Sequence, residues 1–317
     1  MNADTSMTVI KLDQISKRYG SKEALSHATL EVPAGTVFAV LGENGAGKTT
    51  MIRILTGYLK PDSGTATVLG MNCEQQSLEI RRRIGYVSDS PALYEWMKPE
   101  EIGWFTSAFY GPGFPEAYLS LLAEFDVPTG IKIKSLSKGQ RAKVALALAT
   151  AHDPELLILD EPTSGLDPMV RRHFLESMVK RAASGRTVLL SSHQISEVER
   201  VADWVAIVHA GKVKIVQRLE DLKSSTCIVT ATLDHSDAAY PLPPGNVLTE
   251  ASNARQIRWV VMNLDDQAMD GFRNQPCFAH VVVTSPTLED IFVAVCDHRA
   301  TRPRSYHDES RTQEVAS

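Results

Sequence analysis

Gly42-Glu-Asn44-Gly45-Ala-Gly47-Lys48-Thr49-Thr50 is the stretch whose reading decides the fold. It fits G-x-x-x-x-G-K-[ST], with Gly42, Gly47, Lys48 and Thr49 in the fixed places, and it follows the apolar run Thr36-Val-Phe-Ala-Val-Leu41. Strand, glycine loop, helix is the order a phosphate-binding turn requires. The glycines let the backbone turn its N–H groups inward around a polyphosphate; Lys48 supplies a point charge and Thr49 a hydroxyl for Mg²⁺. The anion also gains the partial positive charge of a helix N-terminus. A glycine-rich turn can be a tight turn and nothing more, but here every fixed position and the flanking context are present.

Downstream, Glu155-Leu-Leu-Ile-Leu-Asp160-Glu161 is an apolar run of buried-strand type that ends in two carboxylates. Adjacent strand residues face opposite ways, which separates two jobs: Asp160 to hold Mg²⁺, Glu161 to polarise an attacking water as general base. Pro-Thr-Ser-Gly-Leu-Asp167 follows at once. Thr187-Val-Leu-Leu-Ser-Ser-His193 is the next strand, and its terminal His193 stands where open parallel sheets place ligands, which favours a contact with the γ-phosphate. Before these strands, Leu136-Ser-Lys-Gly-Gln140 opens a long alanine-rich helix with Ser137 as N-cap. Lys138, Arg141 and Lys143 oppose the dipole of that helix, an arrangement better explained if an anion binds there.

Upstream, Met7 to Leu12 and Ala28 to Val32 read as an antiparallel strand pair. Between them Tyr19 has two readings, an adenine-stacking ring or an aromatic packed at a strand end. Arg81-Arg-Arg-Ile-Gly-Tyr-Val87 reads as a strand with a basic, solvated approach. From Ser88 to about Ile131 prolines punctuate segments rich in Tyr94, Trp96, Trp104, Phe105, Phe109 and Tyr110, the pattern of a helical insertion. Core positions are the expectation for these aromatics, with Leu93-Tyr-Glu-Trp-Met97 as a candidate docking loop. Val201 to His209 and Lys212 to Val216 close the region as a hairpin around Ala210-Gly211.

Composition sets the limits. At 317 residues the prior is about two domains. A net charge of −5 and a pI near 6.0 give no global attraction to nucleic acid, and none is expected as a partner. Cys73, Cys227, Cys277 and Cys296 form no C-x-x-C pair, so neither zinc nor a disulfide framework is indicated and a reducing compartment is the simplest one. No uncharged apolar run reaches the roughly 18 residues of a membrane span, so any membrane role is expected to be peripheral.

Taken together, these residues resemble the nucleotide-binding subunit of ABC transporters over about Met7 to Leu222. The loop at Gly42 then matches that family's Walker A and Leu156 to Asp160 its Walker B. Glu161 is its catalytic glutamate, Leu136 to Gln140 its signature, Ser164 to Asp167 its D-loop, His193 its switch histidine and Tyr19 its adenine-stacking aromatic. The resemblance implies an ATPase that works as a head-to-tail homodimer. Each ATP would be held by Walker A of one copy and by Ser137, Gly139, Gln140 and Asp167 of the other, and closure would drive a separate integral membrane permease. This chain departs from the pattern at Lys138, where the family usually has Gly, and at Asp89, where it usually has Gln. A carboxylate at Asp89 would hold Mg²⁺ more strongly than an amide, and Ser88 is its equivalent if the loop shifts by one. The permease of that family docks just after this loop, at Leu93 to Met97 here.

Thr226 to Leu233, Gln256 to Met262 and Phe278 to Thr284 are strand-like, and Pro286 to Val295 is an amphipathic helix. This resembles the small C-terminal domain on ATPases of ABC-2 type exporters, whose chains often end in P-x-L-E-D-x-F. The expected fold is α/β: a P-loop NTPase with a mixed core sheet, an antiparallel β entry subdomain and a helical insertion at about 88–150, plus a small α+β domain at 223–298. Residues 299–317 are polar and expected to be disordered. The expected function is the ATP-binding and ATP-hydrolysing subunit of an exporter, on the cytoplasmic face of the membrane. A soluble ATPase acting on ribosomes or DNA, and a weakly hydrolysing regulatory dimer suggested by Asp89 and Lys138, are the alternatives.

Overall fold

Alternation in the first strands sets the entry sheet. In a computed structural model that describes residues 7–164, 166–235 and 239–297, β1 (Thr8–Tyr19) pairs antiparallel with β2 (Lys22–Pro33). Ala28, Leu30 and Val32 are buried while Thr29 and Glu31 face out, the pattern of a sheet with one wet side. Both strands run several residues beyond the expected ends. β3 (Val37–Leu41), by contrast, is buried at every position, as a central parallel strand should be, and leads through the glycine loop into α1 (Lys48–Leu55). β4 (Ser63–Val68) and β5 (Met71–Asn72) complete the entry sheet in the order β2-β1-β4-β5.

The triple arginine is not on a strand. Arg81, Arg82 and Arg83 form the last turn of α2 (Ser77–Arg83), where cations complement the helix dipole, and the strand β6 (Ile84–Val87) begins only after them. Nor are all three solvated: the Arg81 guanidinium lies 5.1 Å from the Tyr58 ring centroid and Arg83 pairs with Glu155 at 2.6 Å.

The insertion contains α3 (Pro99–Ser107), α4 (Phe114–Glu124) and α5 (Lys138–Thr150). Its core is Ile102, Phe114, Tyr118, Leu122, Val144 and Ala147. The expectation of core positions for the insertion's aromatics fails for most of them: Tyr94, Trp96, Trp104, Phe105 and Phe109 are exposed, and Tyr110 is packed between Phe114 and His152. The cause is register. Pro99, Ile102 and Gly103 supply the inward face of α3, and Trp104 falls opposite, 77% exposed.

β7 (Leu156–Asp160), α6 (Pro168–Ala183), β8 (Thr187–Ser192), α7 (Ile195–Val198), β9 (Trp204–His209) and β10 (Lys212–Arg218) finish the first unit. Among the described residues the core sheet has the order β10-β9-β3-β8-β7-β6, parallel except for β10, so it is mixed. β7 and β8 are adjacent in the sheet and buried along their whole length, and their C-terminal ends carry Asp160 and Ser192.

The chain divides after Leu219 into two compact units. Across and beyond that point come α8 (Leu219–Ser224), β11 (Thr226–Leu233), β12 (Asn246–Asn253), β13 (Gln256–Met262), α9 (Asp266–Arg273), β14 (Phe278–Thr284) and α10 (Leu288–Cys296). The second sheet has the order β12-β13-β11-β14 and is antiparallel throughout. It has one strand more than expected, because β12 is a largely exposed edge whose sequence NVLTEASN shows no apolar alternation. Thr287 caps α10 in a reciprocal pair with Asp290. The disorder expected for 299–317 concerns a segment outside the described residues.

Candidate active site

The phosphate loop is built by steric exclusion. Gly47 has φ +112° and lies so close to the Ala24 carbonyl that any Cβ would collide with it, while Gly42 is pressed in the same way on the Val208 carbonyl. The backbone is thereby forced into a cradle that opens on a cavity of about 260 Å³. Tyr19, Asn44, Gly45, Lys48, Thr49 and Thr50 line it, with Asp89 and Glu161 on the same wall. Tyr19, 47% exposed, is thus on the cavity and not packed away at a strand end.

Lys48 is 6% exposed, and its ammonium is fully engaged. It donates to the carbonyls of Gly42 at 2.6 Å and Glu43 at 3.2 Å, and it faces Glu161 Oε1 at 3.0 Å. A buried ammonium is retained only when paired in this way. Glu161 is held from its other side as well: His193 Nδ1 is 2.7 Å and the His193 backbone N–H 3.3 Å from Oε2. The Glu161 backbone sits in the left-handed region at φ +50°, a conformation that costs a non-glycine residue about 1–3 kcal/mol and that gathers at functional sites. Its N–H is fixed by the carbonyl and hydroxyl of Ser191.

Asp160, 1% exposed, accepts from the Ser191 hydroxyl at 2.7 Å and the Thr49 hydroxyl at 3.3 Å, both on Oδ1. The nearby phenol of Tyr86 is pushed up to about 12 by burial and, secondarily, by the Asp160 carboxylate. Thr49, bonded to Asp160, shares the cavity lining with Asp89, and oxygens of these kinds are what a hard cation takes. Among the described residues no cluster of three or more acidic, His or Cys groups gathers. Mg²⁺ takes one or two carboxylates and leaves its other positions to phosphate and water.

The structure does not bring every expected residue to this cavity. Ser137, Gly139, Gln140 and Asp167 are not among its lining residues. Ser137 accepts from the Gln140 N–H at 3.1 Å while the Gln140 side chain accepts from the Ser137 N–H at 2.9 Å, so the two close a capping box. The N–H groups of Lys138 and Gly139, in the first turn of α5, have no acceptor within the helix. A Cβ on Gly139 would stand 3.7 Å from Asp167, so these two form one neighbouring surface. The anion argument narrows to Lys138, since Arg141 is 3.4 Å from Glu95 and Lys143 donates to the Phe125 carbonyl at 2.8 Å. Gly165, within the expected D-loop, lies outside the described residues. Sequence reasoning missed Ser191, which binds both Asp160 and Glu161; a serine pair inside an otherwise apolar strand was its signal. It also missed Thr163, Arg171 and Glu197, which no motif marks.

Comparison with known proteins places this geometry. The ABC transporter family profile matches residues 25–164. The daunorubicin resistance ATP-binding protein DrrA3 of Streptomyces coeruleorubidus is 38% identical over 229 residues, 71% of this chain and 72% of that one. The bacitracin transport ATP-binding protein BcrA of Bacillus licheniformis is 37% identical over 210 residues, 65% of this chain and 68% of its own. Among solved structures, an ATP-binding subunit of an ABC transporter superposes with a TM-score of 0.64 at 32% identity, covering 68% of this chain and 92% of the other. A dimeric ATP-binding cassette in a post-hydrolysis state with ADP and phosphate shares the fold, with a TM-score of 0.61 at 24% identity over 66% and 98%. These relatives are transport and resistance proteins, which supports the transporter reading and not the ribosome or DNA alternative.

Proposed function

This chain belongs to the ATP-binding, ATP-hydrolysing subunits of the ABC transporter family, and on that premise we propose the role of each residue in its site and the class of transporter it serves. The N–H groups of Gly42 to Thr50 and the Lys48 ammonium hold the β and γ phosphates of ATP, and Tyr19 stacks on the adenine. Thr49, Asp160 and Asp89 hold Mg²⁺, which when bound neutralises phosphate charge. Glu161 accepts the proton of the attacking water, and His193 touches the γ-phosphate while fixing Glu161 Oε2.

The observation that carries this reading is the sharing of Glu161 between Lys48 at 3.0 Å and His193 at 2.7 Å. A polyphosphate in the loop competes for the Lys48 ammonium. It thereby frees Glu161 Oε1 to act as a base while His193 keeps the carboxylate in place. The general base is released by the arrival of its substrate.

The site is half of a pair. A second copy supplies Ser137, Gly139, Gln140 and Asp167, with Lys138 adding charge where the γ-phosphate arrives. A dimer that closes on ATP drives an integral membrane permease docked near Leu93 to Met97. No helix among the described residues is long and apolar enough to cross a membrane, and a peripheral place on the cytoplasmic face of the membrane follows from this partnership. Because the relatives are named for drug resistance and bacitracin transport, the permease is an exporter.

Purified protein with Lys48→Ala should lose turnover by about 10²–10³-fold, the cost of removing a preorganised charge at the phosphate. Glu161→Gln should lose a comparable factor but accumulate an ATP-dependent dimer visible by size-exclusion chromatography. Unchanged turnover in the first variant, or a strictly monomeric second variant, would sink the assignment.

A further inference from the structure

Glu197 is a buried carboxylate that the chemistry above does not use. It is 8% exposed: Thr163 Oγ1 donates to Oε2 at 2.8 Å, and Arg171 Nη1 stands 2.7 Å from Oε1 as an ion pair that lacks the geometry of a hydrogen bond. Arg171 also donates Nη2 to the Leu166 carbonyl at 3.2 Å. The groups tied together come from separate segments, and each segment carries a site residue. Thr163 lies two positions after Glu161, in a turn closed by the Ser164 N–H on the Glu161 carbonyl and the Leu166 N–H on the Thr163 carbonyl. Leu166 and Arg171 bracket Asp167, which caps α6 by accepting from the Val170 N–H at 3.0 Å. Glu197 itself stands four positions after His193, on α7.

The helix α7 needs such a tie. It is only four residues long and has no side-chain cap, so helix propensity cannot fix its place. Val198, 1% exposed, gives it an apolar foot, but an apolar contact does not set rotation as a two-sided ion pair does. A carboxylate held by a hydroxyl on one oxygen and by a guanidinium charge on the other is constrained from two sides.

We propose that Glu197 is a positioning residue for hydrolysis: through Thr163 and Arg171 it locks the Glu161 turn, the Asp167 cap and the His193 segment into one rigid body. The proposal rests on the roles given above to Glu161, Asp167 and His193. Most of the nucleotide's contacts belong to the loop of α1 and to Tyr19, outside this body, whereas Glu161, the group that acts on the attacking water, lies within it. A displacement near 1 Å at the reacting groups costs about 10²-fold in rate.

The test is steady-state hydrolysis by the purified full chain, with ATP affinity from a fluorescent analogue and melting temperature measured in parallel. Glu197→Gln keeps an acceptor for Thr163 but loses the ion pair. It should lower kcat about ten-fold or more while KM and nucleotide affinity stay within about two-fold. Arg171→Met leaves the carboxylate buried and unpaired, so it should be worse than the double variant Arg171→Met with Glu197→Gln, in which no charge is stranded. Recovery of kcat in the double variant, at equal folded fraction, supports the tie. Unchanged kcat in Glu197→Gln, a fall in kcat matched by lost nucleotide affinity, or a double variant no better than Arg171→Met overturns it. Lys48→Ala and Glu161→Gln serve as controls. If they too keep full turnover, the site assignment fails and this inference with it; if they are inactive while Glu197→Gln is normal, only this inference fails.

Discussion

The loop Gly42–Thr50 and the stretch Tyr94–Phe109 are both unusual surfaces, and they are resolved in opposite ways. Around the loop the buried charged groups meet one another within the chain: Lys48 has Glu161 and two carbonyls, Asp160 has Ser191 and Thr49, and Glu161 has His193. Along the other stretch the rings meet one another and little else. Tyr94 is 6.1 Å from Trp96 and 5.7 Å from Phe105, and Phe105 is 6.0 Å from Phe109, yet all are exposed. A site whose interactions close within one chain can be derived from that chain. A surface whose burial is supplied by something else cannot, and exposed aromatic clusters of this kind mark contact surfaces.

The contrast is sharpest inside the insertion, where one set of rings is core and another is not. Tyr118 is 1% exposed, stacks near Phe114 at 6.1 Å, and donates its hydroxyl to the Pro99 carbonyl at 2.9 Å. Tyr118→Ala should therefore cost about 3–5 kcal/mol in chemical denaturation, with hydrolysis lost through unfolding. Trp96→Ala, in the proposed docking loop, should leave stability within about 0.5 kcal/mol of wild type. It should instead weaken recovery of the membrane subunit by about 2 kcal/mol, near thirty-fold, as an interface anchor would. Equal destabilisation by both variants would erase the distinction between inner and outer rings.

A smaller effect sharpens the loop side of the comparison. Asp89 is on the wall of the phosphate cavity and is exposed. If it helps hold the cation, Asp89→Gln should raise the Mg²⁺ concentration for half-maximal hydrolysis by about ten-fold, at the lower end of what losing a supporting carboxylate costs. A titration with no change would return Asp89 to an ordinary solvated role and leave Thr49 and Asp160 as the protein's ligands.

How much of this was legible follows the same division. β3, β7 and β8 announce themselves because strands buried on both faces must be continuously apolar, and the residues ending them, Asp160 and Glu161, stand out against that background. The glycine loop is legible because sterics leave no alternative at Gly42 and Gly47. The aromatics misled because hydrophobicity reports a tendency to be buried and not the partner that buries. The arginines at Arg81 to Arg83 misled because the apolar run beside them belongs to a different element, and only Ile80 marks the helix. β12 was illegible because an exposed edge strand needs no apolar face. The Glu197 tie was invisible because Thr163, Arg171 and Glu197 meet only when a turn and two helices come together.

The smallest expected effect tests whether the inner rings are as dry as the contrast requires. His152 lies 4.2 Å from the Tyr110 ring, and its Nε2 faces the Ile84 carbonyl at 3.2 Å. Burial holds its pKa below the usual 6.5, with the Ile84 carbonyl opposing, Arg181 adding to the depression and Asp153 countering it. A depressed histidine binds fewer protons in the folded than in the unfolded chain, so stability rises with pH across the interval between the two pKa values. The contribution is complete above about pH 6.5 and is lost as pH falls toward the folded value. His152→Phe keeps a ring against Tyr110 but cannot titrate. Wild type should thus lose more stability than the variant between pH 7.5 and pH 5.5, measured by urea unfolding at each pH. Parallel pH profiles would mean that water already reaches His152. The stack of Tyr110, Phe114 and Tyr118 would then be open on that side, and the line between rings buried by the chain and rings awaiting a partner would have to be redrawn through Tyr110.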